Sequence, residues 1–298
     1  MGKHYGMMKR LIAGVLMFIT AMGASATGQS GDMITIDGEQ WNLLGKPIDW
    51  DSVLYKSLLK VLPEERSINT ANWDGYTAYW SIRNDRLYLD RIEVELYNKE
   101  TRQSRKANIT EADMHRVFGK YMKNGRIEAS WFSMPELRAG KGRTVYYVHS
   151  GYCRNQEHEQ ILSIKRGKIV KRQSYHNRVV VADGFSFDNI NQEEIRRRFP
   201  LHTQNYPKLA DVGRLIITIS KVQLDSNGNL IDCNIKVTHR DMKGSIEGLA
   251  QEVKTLLKQI HPWKTLYING EYVSTLYHQS ITLPYVLALA KTQEKGHF

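Results

Sequence analysis

The residues of this chain best suited to do chemistry lie in the stretch HSGYCRNQEH, where His149, Cys153 and His158 give H-x3-C-x4-H, with His176 further on. Imidazole and thiolate are ligands that zinc accepts. The spacing matches none of the standard structural-zinc patterns, and Glu157 and Glu159 beside His158 fit a solvated strand equally well. Cys153 with either histidine as base would be a thiol nucleophile, but no local signature of a cysteine hydrolase surrounds it. The chain contains no G-x-S-x-G elbow, no phosphate loop and no dinucleotide fingerprint. Paired acids such as Glu64-Glu65 and Glu193-Glu194 are of the kind common on solvated helices. These residues name no catalytic centre, no cofactor and no metal, and the expectation is a chain that is not an enzyme.

A chain without a chemical centre is read next by where it goes and what it packs. Lys9 and Arg10 precede an apolar run from Leu11 to Ala24, and Ala24-Ser25-Ala26 has the small residues of a cleavage site, the pattern of an export signal. An apolar stretch of about 16 residues makes roughly 24 Å of helix against a hydrocarbon core of about 30 Å. Cleavage after Ala26 and a periplasmic or otherwise exported location are expected; an uncleaved inner-membrane anchor is the alternative, and the one case in which membrane contact is expected. The formal charge of +11 includes Lys3, Lys9 and Arg10, which leaves +8 after cleavage. Its positive residues are scattered rather than gathered with aromatics on one motif, so nucleic acid is not an expected partner. Arg196-Arg197-Arg198 behind Glu193-Glu194 is the order a helix dipole favours.

Cys153 and Cys233 would form one disulfide in an oxidising compartment, worth about 4 kcal/mol for so long a loop. Against it, NLIDCNIKVT alternates Ile231, Cys233, Ile235 and Val237 with Asp232, Asn234 and Lys236, which turns Cys233 toward an apolar face. A buried free thiol is the reading preferred.

The elements that must position these residues divide into two sets. Residues 31–182 read as a mostly antiparallel β domain with one or two helices. In GYTAYWSIRNDRLYLDRIEVEL, Tyr76, Ala78, Trp80 and Ile82 share a face, Asn84-Asp85 turn the chain, and Leu87 and Leu89 return. The phase then slips to Ile92, Val94 and Leu96, which predicts a bulge near Asp90-Arg91. Further strands are expected in RTVYYVHS, EQILSIK and KIVKRQSY, the last two turning at Arg166-Gly167, and a helix in TEADMHRVFGKYM with Thr110 as its cap. Trp73, Tyr76, Tyr79 and Trp80 could line a sugar or peptide platform, although aromatics at strand spacing are usually core; Tyr79 opposes Tyr76 and Trp80 and is the better surface candidate. Residues 183–205 read as a short helix and linker.

After a boundary near residue 205 the order is strand, strand, helix, strand. RLIITISKVQLD leads to Asn227-Gly228, whose composition predicts a two-residue hairpin, and then to the strand of Cys233. Ile246, Leu249, Ala250, Val253, Leu256, Leu257 and Ile260 fall on one helical face, with Pro262 beyond. A turn at Asn269-Gly270 precedes a last strand over 272–283. The fold class is therefore α+β.

The features VQLDSNGNLIDCNIKV, IEGLAQEVKTLLKQI, Trp263 and INGEYVSTLYHQSITLP make residues 206–290 resemble the C-terminal domain of TonB-type energy transducers. That resemblance implies a small β-β-α-β module that binds an envelope protein, such as an outer-membrane receptor or its peptide segment, through an exposed strand edge. With seven prolines in the chain there is no Pro-rich rod to span a periplasm, so the fold and the binding mode carry over and the energy-transducing role does not. The partner-binding residues implied are Tyr272, Ser280 and Thr282. DGEQWNLLGKPID together with W-x-G-Y-x-A-x-W over Trp73–Trp80 resembles an exported bacterial domain of the Bacteroidetes type that carries no assigned chemistry. The alternative function is a ligand-binding or hydrolytic envelope protein whose N-terminal domain is the working part.

Overall fold

The computed structural model describes residues 28–188, 190–202, 205–206, 209, 212–239 and 246–287. The export signal expected over 1–26 lies outside them. The fold is α+β and mostly β, and none of the described helices is long and apolar enough to cross a membrane. The chain forms two compact units. The first holds the described residues up to Lys141 with Tyr147–Arg154 and Gln160–Gln173; the second holds Gly142–Tyr146, Asn155–Glu159 and the described residues from Ser174.

The first unit begins with β1 (Asp32–Ile36) and β2 (Glu39–Leu43), a 3-10 turn at Pro47–Trp50 and helix α1 (Ser52–Leu59). Then come β3 (Tyr76–Arg83), β4 (Arg86–Asn98), β5 (Gln103–Asn108) and helix α2 (Glu111–Phe118). β6 (Met122–Lys123), β7 (Arg126–Glu128), β8 (Met134–Tyr147), β9 (Arg154–Lys165) and β10 (Lys168–His176) complete the sheet, of which Gly142–Tyr146 on β8, Asn155–Glu159 on β9 and Ser174–His176 on β10 belong to the second unit. The strand order is β10-β9-β8-β2-β1-β3-β4-β7-β6, and β10 pairs with β4 as well, at Lys168 and Arg86, so the sheet closes on itself. β1 and β3 run parallel. Local sequence explains the long β3–β4 hairpin. Asn84 and Asp85 both take positive φ, 48° and 55°, as a tight turn matching strand twist requires. The register slips where Tyr79 faces Arg91 and Trp80 faces Leu89; Asp90 is the extra residue, and the expected bulge lies there. That slip keeps Leu87, Leu89, Ile92 and Val94 all in the core. Thr110 caps α2, its hydroxyl oxygen accepting from the Asp113 N–H at 3.1 Å. Helix α1 had no counterpart in the sequence reading: Asp51 caps it through the N–H groups of Val53 and Leu54, both at 3.0 Å, and Leu54 and Leu58 bury with Tyr55 and Leu59 packed partly beside them.

The second unit contains β11 (Arg178–Val181), helix α3 (Gln192–Arg198), β12 (Arg214–Leu224), β13 (Leu230–Thr238) and helix α4 (Glu247–Gln259). β14 (Thr265–Ile268), β15 (Glu271–Val273) and β16 (Ser280–Val286) follow. Its sheet runs β11-β14-β15-β12-β13, with β16 also on β12. α4 turns Leu249, Val253 and Leu257, each 0% exposed, into a core that includes Ile217, Ile219, Val237 and Trp263.

Three expectations need correction. The helix expected within 183–205 is α3, capped by Asn191, but the described residues around it are part of the second unit rather than a linker, because Phe187, Ile195 and Phe199 bury in the second core. The loop at Asn227-Gly228 is no two-residue hairpin. β12 ends at Leu224 and β13 begins at Leu230, because the Asp225 carboxylate gathers the N–H groups of Asn227 and Asn229 at 2.8 and 2.9 Å. Gly228 then approaches Trp263 through backbone on backbone, the Trp263 N–H reaching its carbonyl at 2.9 Å. Lastly, the strand expected over 272–283 is two strands. Ser274 breaks it by accepting the N–H groups of Leu276 and Tyr277, at 3.1 Å each, and His278 takes φ 55°. The Asn269-Gly270 turn itself stands, with φ of 51° and 92° joining β14 to β15.

Candidate functional site

Strand β16 owes its position to β12, with which it pairs from Arg214↔Val286 to Ser220↔Ser280. Antiparallel partners alternate between pairs that exchange two hydrogen bonds and pairs whose N–H and C=O groups point away. The phase is fixed at the end of the ladder, where the Leu287 N–H donates to the Gly213 carbonyl at 3.0 Å. Counting back by twos, Tyr285, Leu283 and Ile281 bond to β12, while Val286, Pro284, Thr282 and Ser280 direct their main-chain groups outward. Two observations agree with this phase. Pro284, which has no N–H to give, occupies an outward position, and its carbonyl accepts from the side chain of Gln192 at 2.6 Å. Side chains sort in the same rhythm: Leu283 and Tyr285 are buried, and Ser280 and Thr282 are exposed.

Among the described residues β16 has β12 as its one strand partner. α3 caps the edge at Pro284 through Gln192, and Tyr285 is tied down beside it, its hydroxyl donating to the Phe199 carbonyl at 2.7 Å; burial pushes that phenol above its ordinary range. The stretch at Ser280 and Thr282 carries two N–H and two C=O groups aimed away from the sheet. Thr218 and Thr282 place their hydroxyl oxygens 3.4 Å apart on the solvent face. The other end of the sheet, β13, is less open, since the Val237 carbonyl accepts the Ile246 N–H at 2.9 Å where the chain enters α4.

Of the three partner-binding residues expected, Ser280 and Thr282 share this edge and Tyr272 does not. Tyr272 pairs with Tyr267 across the β14–β15 hairpin, their rings 5.0 Å apart, and packs against the second core. The break at Ser274 separates it from β16. The histidine and cysteine candidates also part company. His149 contacts Tyr147, hydroxyl to Nδ1 at 2.9 Å, Cys153 is exposed and Cys233 buried, and both thiols are free; burial pushes the Cys233 thiol up to about 11. His158 groups instead with His176 and Glu157. Of the four platform aromatics, Tyr76 and Trp80 are core. Trp73 is 64% exposed, and Tyr79 lies under the Arg91 guanidinium at 3.5 Å.

The first unit holds a polar cluster that sequence reading missed. Asp32, 1% exposed, accepts from the Ala78 N–H at 3.0 Å and from the Trp80 indole at 2.9 Å. Burial outweighs the nearby Lys46 charge and both hydrogen bonds, and raises its carboxyl to about 7. Lys46 donates to Asn72, Asp74 and the Tyr76 carbonyl at 3.1, 3.1 and 3.3 Å. The Tyr76 hydroxyl donates to Asp49 at 2.7 Å and Tyr55 to Asp74. Burial raises the Asp49 carboxyl also. Carboxyls lifted this way can serve as acids and bases, but here all three Lys46 donors are engaged and Asp32 is sealed from solvent. The cluster ties the loop before β3 to the segment that follows β2, through Lys46 and Tyr55, and β3 to β1 through Asp32. The signal for it was present: Asp32 has the inward phase of Ile34 and Ile36 in DMITI. An open depression of about 860 Å³ between Glu64–Ile68 and Tyr97–Glu100 gathers no comparable chemistry.

No protein-family model, no curated protein and no solved structure matches this chain.

Proposed function

We propose that this is an exported envelope protein that binds a partner polypeptide by strand addition at β16, and that it is not a complete energy transducer. The observation that carries the reading is the outward phase of Ser280 and Thr282 on a strand that has one strand neighbour among the described residues, since an extended peptide can satisfy such groups by joining the sheet. The order β13-β12-β16 with α4 packed over it supports the likeness to TonB-type C-terminal domains drawn from the motifs. Export rests on the signal-like start of the chain, and the partner class, an envelope protein or its exposed peptide segment, follows from export and from the binding mode. β16 is also protected against promiscuous pairing, as edge strands must be: it is short, and it carries Pro284 in the outward phase.

Thr282→Pro tests the reading. Proline removes an outward N–H that β12 does not use, and Pro284 occupies the same phase two residues on. The variant is expected to keep the wild-type circular dichroism spectrum and to lose the partner that the wild-type chain captures from an envelope extract of its own source. Capture of the same partner by a folded Thr282→Pro chain would move the interface elsewhere.

A further inference from the structure

Glu157 and His158 on β9 and His176 at the end of β10 bring a carboxylate and two imidazoles together within the second unit, their ligand atoms all within 4.8 Å of one another. The two rings stack with centroids 4.8 Å apart and planes 17° from parallel, and His176 Nε2 lies 3.8 Å from Glu157 Oε1. Tetrahedral zinc with bonds near 2.0–2.1 Å needs its ligands roughly 3.4 Å apart. The widest separation in the group must shorten by about 1.4 Å for closure on an ion, a movement that rotamer changes of the two exposed imidazoles can supply.

Two features support a ligand role. Asn177, 0% exposed, fixes the backbone beside the ligands. Its N–H donates to the Glu157 carbonyl at 2.7 Å and its side chain to the Gln156 carbonyl at 2.7 Å. Its Oδ1 in turn accepts from the Asn269 N–H at 2.9 Å, so ligands from two strands sit on a buried, hydrogen-bonded support. Gly142 faces the group without a side chain, and a Cβ there would lie 3.1 Å from Glu157 Oε2 and 3.6 Å from the His158 ring. Arg143 reaches Glu157 with two nitrogens, at 3.3 and 3.4 Å, a charged contact that an entering cation must displace.

We infer that Glu157, His158 and His176 form a binding site for one divalent transition-metal ion, of the class that two imidazoles and a carboxylate suit, with Arg143 released from Glu157 as the ion enters. Three protein ligands leave a fourth position for water or for a group from outside, the arrangement of open rather than purely structural zinc sites.

Zinc titrated calorimetrically into the untagged full chain is expected to bind at one ion per chain. Replacement of a ligand, His158→Ala or His176→Ala, should weaken binding by about tenfold or more, whereas Arg143→Ala should leave it equal or tighter because a competitor for Glu157 is gone. Because a variant can fail for reasons of folding, the wild-type chain supplies a second measurement. Substoichiometric nickel should broaden the imidazole proton resonances of two of its ten histidines, assigned as His158 and His176. Zinc affinity unchanged in the His158→Ala, His176→Ala double variant, broadening at other histidines, or no zinc uptake by the wild-type chain would each overturn the site.

Discussion

Asp32 sits in an environment far from its ordinary one. Its carboxyl is near 3.8 in an unfolded chain and about 7 in the folded one, so it holds its proton more tightly when folded. The stability this gives is fully present below about pH 4 and is lost as pH rises toward 7, a change of roughly 4 kcal/mol. Asp32→Asn removes that titration and leaves either Trp80 Nε1 or the Ala78 N–H without an acceptor, at a cost of about 1–3 kcal/mol. The variant is therefore expected to be clearly less stable than wild type at pH 4–5, with the gap closing or reversing by pH 7–8. Urea denaturation across that range checks this, and a gap independent of pH would contradict it. The two thiols give a second residue-scale prediction. Cys153 is exposed and Cys233 is 1% exposed beneath α4 with its thiol pushed up. A disulfide-exchange reagent should label one thiol per native chain quickly and the second after denaturation. The strand alternation that inclined the sequence reading toward a buried Cys233 holds for Cys233, Ile235 and Val237 but not for Ile231, which is 54% exposed while Leu230 is buried, because the pairing with β12 slips register in between. The same rule applied to DMITI would have found Asp32; what it could not have supplied is Lys46, Asn72 and Asp74, which reach that region through turns with no period to read.

At the scale of elements, what could be read in advance was the chemistry of turns and faces. The Asp90 bulge, the Thr110 cap, the apolar face of α4 and the Asn269-Gly270 turn each follow from neighbours within a few residues. The parallel pairing of β1 with β3 and the split of the last strand at Ser274 do not, because they depend on where the chain has already gone. Gly228 and Gly270 separate the local from the tertiary contribution. Both take positive φ, 81° and 92°. A Cβ on Gly270 would meet nothing closer than Tyr175 at 3.7 Å, but one on Gly228 would lie 2.7 Å from the Trp263 carbonyl. Gly270→Ala should cost about 1–2 kcal/mol from backbone conformation alone, and Gly228→Ala distinctly more, since the loop must also move away from Trp263. Equal losses of stability in the two variants would show that the contact with Trp263 carries no weight.

At the scale of the whole molecule, the two hydrophobic cores account for stability, and the division between units does not follow the boundary expected near residue 205. The reason is legible in retrospect: FDNINQEEIRRRF carries Phe187, Ile195 and Phe199, three large apolar residues in a segment that otherwise reads as polar, and they bury with Trp263 and Tyr285. A chain stopped at residue 205 would leave these side chains without the strands they pack on. Limited proteolysis of it should trim the tail back toward Ser174 while the first unit, with its closed sheet, resists; a stable fragment ending near 205 would restore the earlier boundary. The proposed function rests on the second unit, and on one strand of it. Residue-resolved amide hydrogen exchange reads that strand directly, because protection follows main-chain pairing. In the free chain the amides of Ile281, Leu283 and Tyr285 should exchange slowly and those of Ser280 and Thr282 quickly, and the fast pair should slow when the captured partner is added. Amides of Ser280 and Thr282 that are already protected in the free chain, or that stay fast in the complex, would contradict binding by strand addition at β16.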